Sequence, residues 1–238
     1  MPSLLTTIGF DADDTLWQNE HFYRLTEGKF LDLLGEHGER ETLSARLLEA
    51  EKRNLALYGF GIKGFTLSMI ETAIEVTDGR VSAATIAEIL KAGREMLRHP
   101  VETLPNVRET LEALADDYRM VLITKGDLFD QERKLAESGL GELFSAVEIV
   151  TRKDAATYAR VFSEHGDGAE RAMMVGNSLR SDIVPAIAAG SWAVYVPHPL
   201  TWVVEHDDAP VSSPRYRQLE DLGGLIPLVR DITSRSAA

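Results

Sequence analysis

Three aspartates fall within four residues in the stretch TTIGFDADDTLW, at positions 11, 13 and 14. An apolar, β-branched run leads into them, so they stand where a buried strand ends. Like charges held this close resist joint ionisation unless a cation compensates. Three more apolar runs end in groups of polar residues. Thr124, Lys125, Gly126 and Asp127 follow MVLI; Thr151, Arg152, Lys153 and Asp154 follow VEIV; Gly176, Asn177, Ser178 and Asp182 follow AMMV. Carboxylates, an amide oxygen and backbone carbonyls are hard-oxygen ligands of the kind that Mg2+ takes. A bound Mg2+ would offset the crowding of the aspartates. An ionised aspartate can attack as a nucleophile and carry a covalent intermediate. A carboxylate two residues on can serve a leaving group as acid and then a water as base. Magnesium and a lysine would neutralise a phosphoryl group in transit, with hydroxyls and backbone amides holding its oxygens.

The elements that must position these groups are legible from hydrophobic spacing. Leu4 to Phe10 reads as a strand buried on both sides. Residues near 20 to 98 carry four successive helical patterns, FYRLTEGKFLDLLGEH, ETLSARLLEAEKRNLALY, TLSMIETAIEV and AATIAEILKAGREMLR, with no strand between them. Pro100 and Pro105 punctuate the end of that block. From there the chain alternates: NVRETLEALADDY helical, MVLIT a strand, LFDQERKLAESGL helical, AVEIV a strand, DAATYARVFSEH helical, AMMVG a strand, SDIVPAIAAG helical and WAVYV a strand. A short strand at YRQL and a last helix at GLIPLVRDI follow. Such alternation predicts an α/β fold, a Rossmann-like parallel sheet with helices on its faces. The expected core spans 1–18 and 100–238, and 19–99 reads as an all-α cap. Sites in sheets of this kind lie at the carboxyl ends of the strands, where the polar groups above are found.

Composition narrows the function classes. Lys and Arg total 25 against 38 Asp and Glu, a net charge of −13. A chain this acidic is a poor partner for nucleic acid. An anionic substrate would need local cations to draw it in. No stretch is long and apolar enough to cross a bilayer, and cysteine is absent. A cytoplasmic protein acting on a small phosphorylated metabolite is expected; nothing in the composition sets an oligomeric state.

Taken together, DxDxT, a threonine after a second strand, a lysine and then GNSxxSD resemble the haloacid dehalogenase-like (HAD) superfamily, over roughly 4–17 and 100–200. The helical block is similar to that superfamily's α-helical cap in position and type. The resemblance implies a phosphoric monoester hydrolase that uses Mg2+. It implies that Asp11 is the nucleophile and becomes an aspartyl-phosphate. Asp13 is implied as general acid and base, with its backbone carbonyl on the metal, while Thr15 helps to orient the loop and its substrate. Thr124 is implied to bind the phosphoryl group, helped by the Lys125 and Gly126 amides, and Lys153 to bridge nucleophile and phosphate. Asn177 and Asp182 form the metal-side motif, and the sequence does not choose between them as the direct ligand. Two departures stand out: Asp14 where many members have Gly, and Asn177 where many phosphatases have Asp.

Three features compete with this reading. Gly59, Gly61 and Gly64 spell GxGxxG, but between helices of the insert rather than between a strand and a helix, so they do not read as a nucleotide fingerprint. A glycine loop on the cap that brings Lys63 to the substrate fits better. The six histidines show no metal-ligand spacing and read as surface or loop residues. Trp192, Met173 and Met174 fall in buried-strand patterns, and Trp17 stands close to the site or packs the cap junction. On the same scaffold, an L-2-haloacid dehalogenase is the main rival, against which Asp13 argues. A phosphonatase or phosphomutase would be distinguished by its cap. A non-catalytic phosphate-binding regulator is the rival from another class, with Asn177 in its favour.

Overall fold

The computed structural model describes residues 5–237, with side chains to 234. Leu4, expected to open the first strand, and the outermost ends of the expected core, 1–4 and 238, lie outside the described residues. The chain divides into two compact units, one formed by 1–20, 101–125 and 133–238, the other by 21–100 and 126–132.

The first unit is built on six strands: β1 (Thr7–Phe10), β2 (Arg119–Lys125), β3 (Ala146–Val150), β4 (Ala172–Gly176), β5 (Trp192–Tyr195) and β6 (Tyr216–Gln218). They pair in the order β3-β2-β1-β4-β5-β6, every pair parallel. Alternate side chains separate the two faces. Ile8, Phe10, Met120, Leu122, Met173 and Val175 pack on α5 (Val107–Ala115) and α9 (Leu225–Ala237), through Leu111, Leu114 and Val229 among others. Val121, Ile123 and Met174 face the other way, onto Tyr158, Val161 and Phe162 of α7 (Ala155–Glu164) and Ala186 of α8 (Val184–Ala188). With both faces covered, the central strands are apolar through their middles, which is why they read as uninterrupted runs. The strand order reverses between β1 and β4, and the crevice outside such a reversal is where ligands of open α/β sheets bind. Trp192 departs from the expected core position. It is only partly buried, with the guanidinium groups of Arg217 and Arg215 5.0 and 6.0 Å from its ring.

The long excursion between β1 and β2 leaves and returns through one rung. Trp17 and Thr103 form an antiparallel bridge, flanked by Gln18 N–H on the Glu102 carbonyl and Leu104 N–H on the Leu16 carbonyl, each 2.9 Å.

The second unit is helical: α1 (Glu20–Leu33, its first residue in the sheet unit), α2 (Arg40–Tyr58), α3 (Ile62–Val76) and α4 (Ala83–Met96). On α2 the buried positions are Leu43, Leu47, Ala50 and Asn54, a single stripe at helical spacing. α3 packs against both α2 and α4 and buries a wider face, including Phe65, Met69 and Ala73. Asn54, the polar member of the α2 stripe, is satisfied by Ser68 Oγ at 3.1 Å and Glu71 at 2.8 Å. Of the three glycines in GFGIKG, Gly59 ends α2 and Gly61 precedes α3, whereas Gly64 lies inside α3. The stretch is therefore a helix–helix junction, not a phosphate loop. The segment Gly126–Glu132, which opens α6 (Leu128–Ser138), groups with this unit.

One carboxylate in the helical unit makes folding pH-dependent. Burial, and then Glu27, push the Glu51 carboxyl from 4.5 up to about 7 against the pull of Arg24. Folding therefore takes up a proton between those values, and stability falls as pH rises through that window. Glu51→Gln is expected to stabilise the protein by roughly 1–3 kcal/mol at pH 8, and by little at pH 4.5. Urea unfolding at the two pH values reads this; an equal shift at both would contradict it.

Candidate active site

The end of β1 delivers Asp11 into the reversal point. Its N–H continues the ladder onto the Val175 carbonyl at 2.9 Å. Its carboxylate is held from two sides: Oδ1 accepts from the Lys153 ammonium, and Oδ2 from the Thr15 hydroxyl at 3.0 Å. Lys153 also donates to Asp182 Oδ1 at 2.7 Å, and both of these side chains are 1% exposed. Burial alone would lower the lysine, but the two carboxylates more than offset it and hold it above its ordinary range as an ammonium. Asp11 is pushed up to about 7, first by burial and then by Asp182, with Lys153 pulling the other way. Two carboxylates thus share one cation.

Asp182 reaches Lys153 because the chain after β4 winds into a π turn, Leu179–Ile183, before α8. Its Oδ2 accepts from Ser178 N–H at 2.9 Å. Gly176 makes this fold-back possible, since a Cβ there would stand 2.3 Å from Asp182 Oδ2.

Asn177 lies on the other side of Asp11. Its backbone N–H donates to Thr15 Oγ1 at 3.1 Å. One end of its amide is 3.2 Å from Asp11 Oδ2 and 3.3 Å from the Asp13 carbonyl oxygen; with nitrogen at that end it donates to both. With oxygen at that end, three oxygens converge, two of them within reach of the Thr15 hydroxyl at 3.0 and 3.3 Å, a donor set suited to a hard divalent cation. The residues therefore fit Mg2+. Asp182, with both oxygens bonded within the protein, is on the lysine side of the cluster.

Asp13 presents its side chain to a separate set of donors. Trp17 Nε1 and Lys134 Nζ both donate to its Oδ1, at 2.8 and 2.9 Å. Lys134 donates also to Asn19 Oδ1 at 2.8 Å. Asp14 takes a left-handed backbone, φ 59°, and its carboxylate accepts from the N–H groups of Asn19 and Glu20, at 2.9 and 3.0 Å, where α1 begins. It acts as the cap of that helix. Burial, and then Asp13, raise the Asp14 carboxyl to about 7. His198 Nδ1 lies 3.7 Å from it, and that imidazole is mostly buried rather than on the surface.

The remaining expected residues are distributed as follows. Thr124 is buried at the end of β2, its hydroxyl on the Lys125 carbonyl at 3.2 Å. The Lys125 ammonium is bonded to Ser181 Oγ and Glu205 Oε1, each at 2.7 Å. Glu205 also accepts from Ser178 Oγ at 2.6 Å, which ties the loop after β5 to the loop after β4. Gly126 has φ 136°, a conformation that a side chain would strain. Lys63 belongs to the helical unit, where it pairs with Asp127 at 2.9 Å and lies over the Phe129 ring. Thr15 spends its hydroxyl on Asp11 and Asn177, so it braces the loop from within.

Lys134 and Glu205 escaped the sequence reading. For Lys134 a signal existed: Asp130, Gln131, Lys134 and Ser138 are all buried and recur at helical spacing on α6, a polar stripe where a core face would be apolar. For Glu205, in a loop-rich tail, there was none. The one other cluster of potential metal ligands among the described residues is Glu148, Glu164 and His165; Arg160 donates to both glutamates and supplies the countercharge.

Comparison with known proteins adds four findings. A family model of haloacid dehalogenase-like hydrolases matches residues 5–190. A glyceraldehyde 3-phosphate phosphatase from Methanothermobacter thermautotrophicus is 26% identical over 211 residues, covering 83% of this chain and 88% of that protein. The crystal structure of a haloacid dehalogenase-like family hydrolase from Xanthomonas campestris superposes with a TM-score of 0.87 at 43% identity, covering 99% of both chains. A magnesium-bound HAD-hydrolase, YfnB from Bacillus subtilis, shares the fold at a TM-score of 0.65 and 16% identity, over 95% of this chain and 99% of that one.

Proposed function

Because this chain belongs to the haloacid dehalogenase-like hydrolases, we propose that it is a Mg2+-dependent phosphatase that cleaves a small phosphomonoester through an aspartyl-phosphate on Asp11. The observation that carries the reading is the Asp11 carboxylate, bonded to Lys153 on one oxygen and to Thr15 on the other, with Asp13 two residues away on the same loop. The phosphatase relative from Methanothermobacter supports a phosphorylated substrate.

The chain's own groups divide the work. Asp11 attacks phosphorus and the bond to the leaving oxygen breaks, while Asp13 gives that oxygen its proton. Water then attacks the aspartyl-phosphate and loses its proton to Asp13, which releases phosphate and restores Asp11. Lys153 keeps the nucleophile ionised and neutralises charge on the phosphoryl group. Thr124 and the main-chain N–H groups of Lys125 and Gly126 hold the phosphoryl oxygens. Asp11, the Asp13 carbonyl and Asn177 would hold Mg2+, with Asp182 retained as the partner of Lys153. When bound, the ion supplies Lewis-acid neutralisation of the phosphoryl charge.

Asp13 argues against the dehalogenase alternative, because a halide leaves without a proton. Phosphate release from sugar phosphates, glyceraldehyde 3-phosphate, phosphoglycolate and nucleoside monophosphates, with Mg2+ and with excess chelator, tests the reading. Release that requires Mg2+ is expected for at least one of them. Full activity in chelator, or halide release in place of phosphate release, would overturn it.

A further inference from the structure

The carboxylate of Glu205, in the loop after β5, collects hydrogen bonds from two other loops. Its Oε1 accepts from the Lys125 ammonium at 2.7 Å, and its Oε2 accepts from the hydroxyls of Ser178, at 2.6 Å, and Ser181. Lys125 donates also to Ser181 Oγ at 2.7 Å, which closes a ring of three side chains. Lys125 ends β2, whereas the two serines follow β4, and those strands lie on either side of β1. The ring therefore reaches across the strand that delivers Asp11. On the β4 side it grips the π turn that carries Asp182, and Tyr158 holds the same turn from α7 through the Ser181 carbonyl at 2.9 Å. The Glu205 and Lys125 side chains are 16% and 13% exposed. A buried ion pair stabilises a fold weakly if at all, and an apolar pair would fill the space without desolvating charge. A carboxylate at this end of the sheet also repels an anionic substrate. Its presence points to a task other than packing.

We propose that Glu205 is a positioning residue that clamps the loops after β2 and β4 across β1, so that Thr124 and the Lys125 main-chain N–H stand where a phosphoryl group in transit needs them. The inference rests on the phosphatase reading above. The hydrogens of the ring run one way, from Lys125 to Ser181 and from both of these to Glu205. An amide at position 205 would turn N–H groups against the ammonium or against the two hydroxyls, so the clamp needs the carboxylate. With the clamp open, the end of β2 and the turn after β4 can shift against each other. A misplacement of about an ångström among such groups can cost roughly 100-fold in rate.

The test reads inhibition by orthovanadate, which takes the five-coordinate shape of a phosphoryl group in transit, against whichever phosphomonoester the screen above finds, with Mg2+ present. In Glu205→Gln, kcat/KM should fall by about 10- to 100-fold, and the vanadate inhibition constant should rise by a similar factor. Electrostatics alone predicts the opposite sign, because losing a negative charge near an anion's site would tighten its binding. A general structural defect would leave fewer active molecules, and the inhibition constant of those that remain would not move. Lys125→Met should weaken vanadate too. The double variant Lys125→Met/Glu205→Gln should be no worse than the poorer single one, since either change opens the same clamp. Ser181→Ala leaves the ion pair in place and carries the test, at about 3- to 10-fold, if Glu205→Gln fails to fold. A vanadate constant that falls or stays within about twofold of the wild type overturns the proposal, as do losses that multiply in the double variant. A wild-type protein that releases phosphate from none of the substrates removes the phosphatase reading and this inference together; an active wild type with unmoved vanadate binding in the variants removes the inference alone.

Discussion

Asp11→Asn is expected to abolish turnover, lowering phosphate release by about 10^4-fold or more, the scale seen when a covalent nucleophile is removed. The amide has nearly the same shape as the carboxylate and can still accept from Thr15, so the fold should persist. It cannot form the acyl phosphate. A substitution that merely disturbed the site would leave a slow reaction with the same intermediate; this one should leave none. Rapid mixing with substrate, quenching in acid and measurement of protein-bound phosphate make the distinction. The wild type should carry label on one aspartate and Asp11→Asn should carry none. Label that persists in the variant, or turnover within tenfold of the wild type, would contradict the assignment of the nucleophile.

Lys153→Met should cost both activity and stability. The ammonium is the cation that Asp11 and Asp182 share. Its removal leaves two buried carboxylates facing each other, and breaking a buried pair in this way typically costs about 3–5 kcal/mol. Turnover should fall at least about 100-fold, because the charge that favours the ionised nucleophile and the transferred phosphoryl group is gone. The stability loss has an internal control. Adding Asp182→Asn to Lys153→Met should recover roughly half of it or more, since one of the two stranded charges disappears. Activity should not return. Urea unfolding of the two single variants and the double variant closes the cycle. Strictly additive losses would show that lysine and aspartate do not act as a pair.

The parts of this protein that were legible in its sequence are those whose signal is local. AMMVG was read with the bounds that the structure has because it is buried throughout and so forms an unbroken apolar run, and AVEIV, a partly exposed edge strand around Glu148, was read correctly from its β-branched residues and its place in the alternation. The order of strand-end residues pointed to Asp11, Lys153, Asn177 and Asp182, and the structure brings these four together. What stayed hidden depends on partners far away in the chain. The segment SDIVPAIAAG read as one helix, yet its beginning is a π turn, bent so that Asp182 can reach Lys153. Lys134 was not singled out, and only the tertiary structure brings it to Asp13, 121 positions away in the chain. His198 read as a surface or loop residue; it lies in the loop after β5, with its side chain mostly buried beside Asp14. Asp14, where a glycine is usual, kept glycine's backbone conformation and used its carboxylate as a cap.

The rung between Trp17 and Thr103 bears on how the chain reaches its native state. Pairing β1 with β2 means joining segments separated by the entire helical excursion, and chain entropy opposes so distant a meeting. Once the antiparallel bridge has formed, the detour counts for little, because the strands are then linked through a few residues on either side of it. Assembly of the sheet becomes a short-range event, and the excursion can change in length or sequence without altering the route by which the central strands find each other.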